Sequence, residues 1–290
     1  MPIVIQGLTH TYMPGSPFQA TAVHEVSLTV GDGEFLGLIG HTGSGKSTLI
    51  QHLNGLLKPT AGRVLVDGVD VFAKDTDRRA IRRKVGLVFQ YPEHQLFEET
   101  VAKDIAFGPK NLGLDAEEVD RRVRAACGLV RIDYQTLADR SIYELSGGQM
   151  RRIAIAGVLA MEPEVLVLDE PAAGLDPRGR ADILHMIQEL HALRAITVIM
   201  VSHSMEDVAR MVNRIVVMNR GRVVMDGVPA EIFTHGEALR GMGLDVPEAV
   251  RLADALRAKG FAIPSEACLM EEVRDAVIAH MAQSGGGQPC

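Results

Sequence analysis

The run Glu34-Phe35-Leu36-Gly37-Leu38-Ile39 has the length and composition of a buried strand, and it feeds directly into Gly40-His41-Thr42-Gly43-Ser44-Gly45-Lys46-Ser47. That second stretch has the spacing G-x-x-x-x-G-K-S, and from Ser47 through Thr48 to Leu53 the pattern turns helical. Strand, glycine loop and helix in this order define a cradle for phosphate. Several backbone N–H groups can converge on phosphate oxygens only where no side chain intervenes, and a helix N-terminus adds a favourable dipole. Gly43 and Gly45 supply the bare backbone, Lys46 the charge that offsets β- and γ-phosphates, and the Ser47 hydroxyl a ligand for Mg²⁺.

A second element with the same taste for phosphate stands far along the chain. Leu145-Ser146-Gly147-Gly148-Gln149 opens a helix, and its serine hydroxyl, glycine N–H groups and helix dipole can grip a γ-phosphate. It has no lysine or carboxylate of its own. An ordinary serine N-cap followed by glycines has the same sequence; the alternative is a half-site that completes the pocket of another subunit.

Further candidates fall at the ends of short, continuously apolar runs. Such runs occur at 85–89, 165–168, 197–201 and 215–218, as expected of strands buried on both faces of a parallel sheet covered by helices. Ligands of open α/β sheets gather at the C-terminal ends of such strands. There stand Asp169, a candidate to face Mg²⁺ through water, and Glu170, a candidate general base for the attacking water. Gln90 follows the strand ending at Phe89, where its amide can reach Mg²⁺ and the water, although a glutamine after a strand is commonly just solvated. His203 follows the strand ending at Val201 and can hydrogen-bond a γ-phosphate oxygen.

The 290 residues, 47% hydrophobic, suffice for one substantial α/β domain with an appendage. Lys and Arg number 30 against 37 Asp and Glu, a formal charge of -7, so no global basic surface supports nucleic-acid binding. The three cysteines, Cys127, Cys268 and Cys290, form no C-x-x-C pair, which favours a reducing compartment and argues against zinc. No apolar stretch nears membrane-spanning length, and Met1-Pro2-Ile3-Val4 does not open a signal peptide, so a cytoplasmic chain is expected, held at a membrane only through a partner.

Alternating apolar residues over 3–30 predict antiparallel strands around a Pro/Gly loop at 13–17. Residues 91–144 lack strand runs and show helical spacing at Val119, Val123 and Ala126, which predicts an inserted helical subdomain. Helices are expected at 149–161, 178–193 and 205–212. After Gly221 the pattern predicts a strand pair turned at Asp226-Gly227, a short helix near 230–233, helices at 248–259 and 267–281, and a flexible Gly-rich tail over 284–290.

Together these residues resemble the ATP-binding cassette (ABC) family of transporter ATPases over about residues 1–233. The phosphate loop at Gly40 to Ser47, Gln90, the signature Leu145 to Gln149, the acidic pair Asp169-Glu170, the loop Gly174-Leu175-Asp176 and the switch His203 come in family order. A finer likeness lies in Phe89-Gln90-Tyr91-Pro92-Glu93-His94-Gln95-Leu96-Phe97 and Asp104-Ile105-Ala106-Phe107-Gly108-Pro109-Lys110-Asn111-Leu112-Gly113. It is similar to the energy-coupling factor ATPases, whose paired ATPase subunits drive vitamin or transition-metal uptake through a membrane scaffold and a substrate-capturing subunit. Ala172-Ala173 after Pro171 departs from the usual Thr-Ala, and Met150 replaces a common basic residue; neither removes a catalytic group.

The resemblance implies a P-loop NTPase fold of the ABC cassette type: a parallel sheet core, an antiparallel β subdomain, a helical subdomain at about 91–144 and a small C-terminal helical extension at 234–283. It implies ATP hydrolysis with ATP held by Gly40, His41, Thr42, Gly43, Ser44, Gly45, Lys46, Ser47 and Thr48. Tyr12 matches the position that stacks on adenine, although a tyrosine packed on its own sheet would look the same. Mg²⁺ would be held by Ser47, Gln90 and Asp169. Ser146, Gly147, Gly148, Gln149 and Asp176 would act in trans on the ATP of a second ATPase subunit, identical or related. The membrane scaffold would dock near Gln90 and residues up to Phe97, at the cytoplasmic face of the cell membrane, and the substrate-binding subunit would be engaged indirectly. The competing readings are an ATPase of a conventional importer and a soluble DNA-associated ATPase; the latter usually carries a long coiled coil or zinc modules, and neither pattern occurs here.

Overall fold

A computed structural model describes residues 2–91 and 95–284. Its centre is a six-stranded sheet in the order β10-β9-β3-β8-β7-β6. The strands are β3 (Phe35–Ile39), β6 (Val85–Val88), β7 (Val165–Asp169), β8 (Thr197–Val201), β9 (Arg214–Asn219) and β10 (Arg222–Gly227). All neighbours pair in parallel except β9 with β10.

The unbroken apolar runs of these strands follow from burial on both faces. Leu166 and Leu168 of β7, Val198 and Met200 of β8, and Ile215 and Val217 of β9 face one core. The residues between them, Val165, Val167, Ile199, Val201, Val216 and Met218, face a second core. Because side chains alternate along a strand, a sheet covered on both sides needs an apolar residue at every position.

The second core is closed by a four-stranded antiparallel sheet, order β2-β1-β4-β5. The expected strands over 3–30 are β1 (Ile3–Tyr12) and β2 (Ala20–Val30); β4 (Ala61–Val66) and β5 (Val69–Asp70) complete the sheet. Helix α1 (Lys46–Leu53) adds Leu49, Ile50 and Leu53 to the same core.

The first core is covered by helices α3 (Val101–Asn111), α4 (Ala116–Leu129), α6 (Gly147–Leu159), α7 (Pro177–Arg194) and α8 (Met205–Met211). Between β5 and β6 lies α2 (Arg78–Lys84), and between α4 and α6 the one-turn α5 (Tyr134–Leu137). Helices α3, α4 and α7 begin at side-chain caps: Thr100 accepts from the Lys103 N–H, Asp115 from the Glu118 N–H, and Asp176 from the N–H groups of Arg178 and Gly179. Pro177 at the first position of α7 loses no hydrogen bond there. The helical spacing read at 119–126 is real: Val119, Val123, Ala126 and Cys127 are buried, and α3, α4 and α6 pack on one another.

One turn lies elsewhere than its sequence position suggested. The hairpin of β9 and β10 turns at Arg220 and Gly221, with φ of 48° and 77°, not at Asp226-Gly227. Two consecutive positive φ values suit a two-residue hairpin. Asp226 stays within β10 because the Arg214 guanidinium grips both its carboxylate oxygens across the ladder.

After β10 come the short helices α9 (Pro229–Ile232) and α10 (Gly236–Gly241), then α11 (Glu248–Ala258) and α12 (Met270–Ser284). Ala249, Ala253, Ile263, Ala267 and Val273 form a small core of their own. Leu244, Val246, Val250 and Cys268 join this region to the main core. Beyond Ser284 the expected tail lies outside the described residues, as do Pro92, Glu93 and His94. Among the described residues no helix is long and apolar enough to cross a membrane.

Candidate nucleotide site

The loop from Gly40 to Gly45 needs its glycines for reasons of space. Gly40 has φ 157°, and a Cβ there would lie 2.3 Å from the Met218 carbonyl oxygen and 2.5 Å from Ser44 Oγ. Gly45, at φ 100°, caps α1, and a Cβ would lie 2.4 Å from the Ala22 carbonyl oxygen. Both conditions exclude other residues. Ser44 is fully buried, and its carbonyl accepts the Gly221 N–H at 2.9 Å, which ties the loop to the β9-β10 turn.

Lys46 is 6% exposed. Its Nζ donates to the Gly40 carbonyl at 2.5 Å and to the His41 carbonyl at 3.1 Å, and so braces the loop from inside. Burial lowers its pKa, opposed by the negative charges of Glu170 and Asp169. Facing it across the loop, the Ser47 hydroxyl donates to Asp169 Oδ2 at 3.0 Å.

Glu170 continues β7 by one residue and bends sharply. Its φ is 54°, an uncommon value for a side-chain-bearing residue and a mark of local strain, while its N–H donates to the Val201 carbonyl at 3.0 Å. The side chain is 13% exposed. Burial, then the adjacent Asp169 charge, push its pKa up to about 7, against the opposing influence of Lys46, the His203 N–H and Arg180. His203 Nε2 lies 3.1 Å from Glu170 Oε1, but off the line of a hydrogen bond, so that buried oxygen accepts none. Burial, then Lys46, also lower the His203 pKa, which favours the neutral imidazole beside Glu170.

These groups converge on one cavity of about 260 Å³. Thr42, Gly43, Ser44, Gly45, Lys46, Ser47, Thr48, Gln90, Asp169, Glu170 and His203 all line it, so the fold unites residues drawn from four separate stretches of chain. Gly40 and His41 lie beneath, as acceptors for Lys46. Tyr12 stands at the side with its hydroxyl 3.1 Å from Thr48 Oγ1 and its ring edge-on to His10.

The donor set suits Mg²⁺, with a hydroxyl, a carboxylate and an amide oxygen, all hard ligands. An independent sign is an orphaned buried acceptor: Glu170 Oε1 has no hydrogen-bond partner, next to Asp169, whose carboxylate accepts the Ser47 hydroxyl.

Ser146, Gly147, Gly148, Gln149 and Asp176 do not line this cavity. Ser146 and Gln149 form a capping box: Ser146 Oγ accepts the Gln149 N–H at 3.3 Å, and Gln149 Oε1 accepts the Ser146 N–H at 3.0 Å. Ser146 and Gly147 are exposed at the helix start, as is Asp176 at the start of α7.

Arg151 escaped the sequence reading. It is 2% exposed, and its guanidinium donates to the carbonyls of Ala173 at 2.6 Å, Pro171 at 3.2 Å and Gln90 at 3.5 Å. One side chain thus joins the signature helix to the loops on either side of the nucleotide cavity. The available signal was an arginine in helical register with the buried Ile155.

A family model described as ABC transporter matches residues 23–173. The energy-coupling factor transporter ATP-binding protein EcfA2 of Symbiobacterium thermophilum is 55% identical over 290 residues, covering 100% of both chains. EcfA2 of Clostridium perfringens is 54% identical over 278 residues, 96% of this chain and 98% of that one. Among solved structures, cbiO1 of Clostridium perfringens, described as part of the ABC transporter complex cbiONQ, superposes with a TM-score of 0.72 at 37% identity, covering 82% of this chain and 93% of that one. A dimeric cassette in a post-hydrolysis state with ADP and Pi gives 0.69 at 27% identity, covering 78% and 98%. The chain belongs to the ABC transporter ATPases, and within them to the ATP-binding subunits of energy-coupling factor transporters.

Proposed function

We propose that this chain hydrolyses ATP in the cavity between Lys46 and Glu170 only when a second ATPase subunit, identical or related, closes over it with its own signature helix. The hydrolysis powers uptake of a vitamin or a transition-metal ion through a membrane scaffold and a substrate-binding subunit. The nucleotide-hydrolysing unit is residues 1–233, with the helical subdomain at about 91–144, and residues 234–283 serve subunit contacts. The assembly sits at the cytoplasmic face of the cell membrane, and the scaffold docks near Gln90 and residues up to Phe97.

The observation that carries this reading is Glu170: a strained, mostly buried carboxylate with a pKa of about 7 and one buried, unpartnered oxygen, lining the same cavity as Lys46. A general base works best with a pKa near the working pH. Glu170 accepts the proton of the attacking water, and Gln90 and His203 orient the water and the γ-phosphate. The glycine N–H groups and Lys46 collect the charge that develops on the transferred group, and positioning with charge stabilisation dominates such reactions. Ser47, Gln90 and Asp169 would hold Mg²⁺, Asp169 through water, and the ion supplies charge neutralisation at the phosphates. Tyr12 offers its ring to adenine. The serine and glycines at 146–148, with Gln149 and Asp176, serve the ATP of the partner subunit.

Glu170→Gln is expected to cut turnover by about 10²-fold or more, the usual worth of a general base, while ATP affinity changes little. Steady-state hydrolysis and equilibrium binding on the same preparation check it. Retained turnover in the variant would rule out Glu170 as the base.

A further inference from the structure

Arg180 lies one turn into α7, and its N–H donates to the carbonyl of Asp176, the helix cap, at 2.9 Å. Its side chain reaches across to the loop that carries His203. Nη2 donates to Ser204 Oγ at 2.5 Å and to Asp207 Oδ2 at 2.8 Å.

Those two acceptors are the structural start of α8. Ser204 Oγ accepts the Asp207 N–H at 3.3 Å as the helix cap, and the Ser204 N–H donates to Ser202 Oγ at 3.1 Å. His203 therefore sits between two serines that are each fixed by hydrogen bonds. Elsewhere on α8, Glu206 Oε1 accepts the Glu248 N–H of α11 at 3.0 Å, and Arg210 pairs with Glu271 of α12 at 3.1 Å. Arg180 holds the end of α8 next to the switch. Together with Glu170 and His203, Arg180, Ser204 and Asp207 line a cavity of about 400 Å³ beside the nucleotide cavity.

We propose that Arg180 is a positioning residue for ATP hydrolysis: it fixes the His203 loop to the helix capped by Asp176, so that His203 stays against Glu170 and displacement of either loop is passed to the other. This rests on the reading of Glu170 and His203 as the groups that act on the γ-phosphate. The Arg180 side chain is 41% exposed and that of Asp207 13%, so the pair is only partly buried and its loss lowers stability modestly without unfolding the chain. A misplacement of about 1 Å in a catalytic group can cost roughly 10²-fold in rate, so the same loss is felt in turnover.

The test uses the transporter complex purified through this chain. Arg180→Ala is expected to lower kcat by about tenfold or more while KM for ATP stays within about twofold and the melting temperature within a few degrees. Arg180→Lys, which keeps a cation with N–H donors, restores most of the rate. Asp207→Ala mirrors Arg180→Ala, and the double variant is no slower than the slower single one. Wild-type kcat in Arg180→Ala beside an inactive Glu170→Gln overturns the inference while sparing the reading of the site. So does a loss carried by KM, or a lysine variant no better than alanine. Wild-type turnover in Glu170→Gln overturns both.

Discussion

His52 shows how far burial can reshape one side chain next to the nucleotide loop. It is fully buried on α1, with Nδ1 donating to the Thr48 carbonyl at 2.7 Å and Nε2 3.1 Å from His10 Nδ1. Burial drives its pKa down to about 4; the Thr48 carbonyl opposes the shift and His10 adds to it. The unfolded chain holds this proton at an ordinary value near 6.5, so between about pH 6.5 and 4 the unfolded state binds more protons than the folded one. Stability contributed by neutral His52 is present above that window and lost as pH falls through it, to a total of about 3 kcal/mol. Urea unfolding at pH 7 and at pH 4 should show His52→Gln losing less stability on acidification than wild type by about that amount; equal losses would contradict the burial argument. The same scale shows what a sequence conceals. Lys46, Ser47, Asp169, Glu170 and His203 were legible because each stands at a fixed offset from a strand end. Arg151 and Arg180 were not, because their partners are brought to them only by folding.

At the scale of elements, the parallel strands were legible because burial on both faces leaves an unbroken apolar run. The antiparallel sheet was less so: β4 starts with three exposed residues, and its apolar signal is confined to its second half. The β9-β10 turn was misplaced because Asp-Gly is a strong hairpin signal, yet the pairing of Arg214 with Asp226 keeps that dipeptide inside the strand. The capping box at the start of α6 has two roles that one substitution separates. Ser146→Ala removes a helix cap worth about 1 kcal/mol, so a modest fall in unfolding free energy is expected. If the exposed hydroxyl also meets a phosphate across a subunit boundary, ATP turnover of the assembled complex should fall by about tenfold or more. A stability loss without a turnover loss would leave Ser146 as a cap alone.

At the scale of the whole molecule, two cores on opposite faces of one sheet fix the cavity, while the signature helix begins outside it, exposed. The loop at Gly40 to Ser47 lines the cavity together with Lys46 and the carboxylates of Asp169 and Glu170, whereas Ser146 to Gln149 lie outside it. Which surface meets a second ATPase subunit is not written in the periodicity of a single chain, because alternation and helical spacing report burial within the fold alone. The small core around Ala253 likewise reads from sequence as ordinary helices, and its docking to the main body through Val250 and Cys268 is a property of the tertiary structure. The most direct test is a structure of the complex assembled with the Glu170→Gln chain and trapped with ATP and Mg²⁺. We expect the triphosphate to lie between the loop around Lys46 and the serine that opens the signature helix of a second ATPase subunit. A triphosphate enclosed by one chain, with no second subunit approaching it, would contradict the shared site.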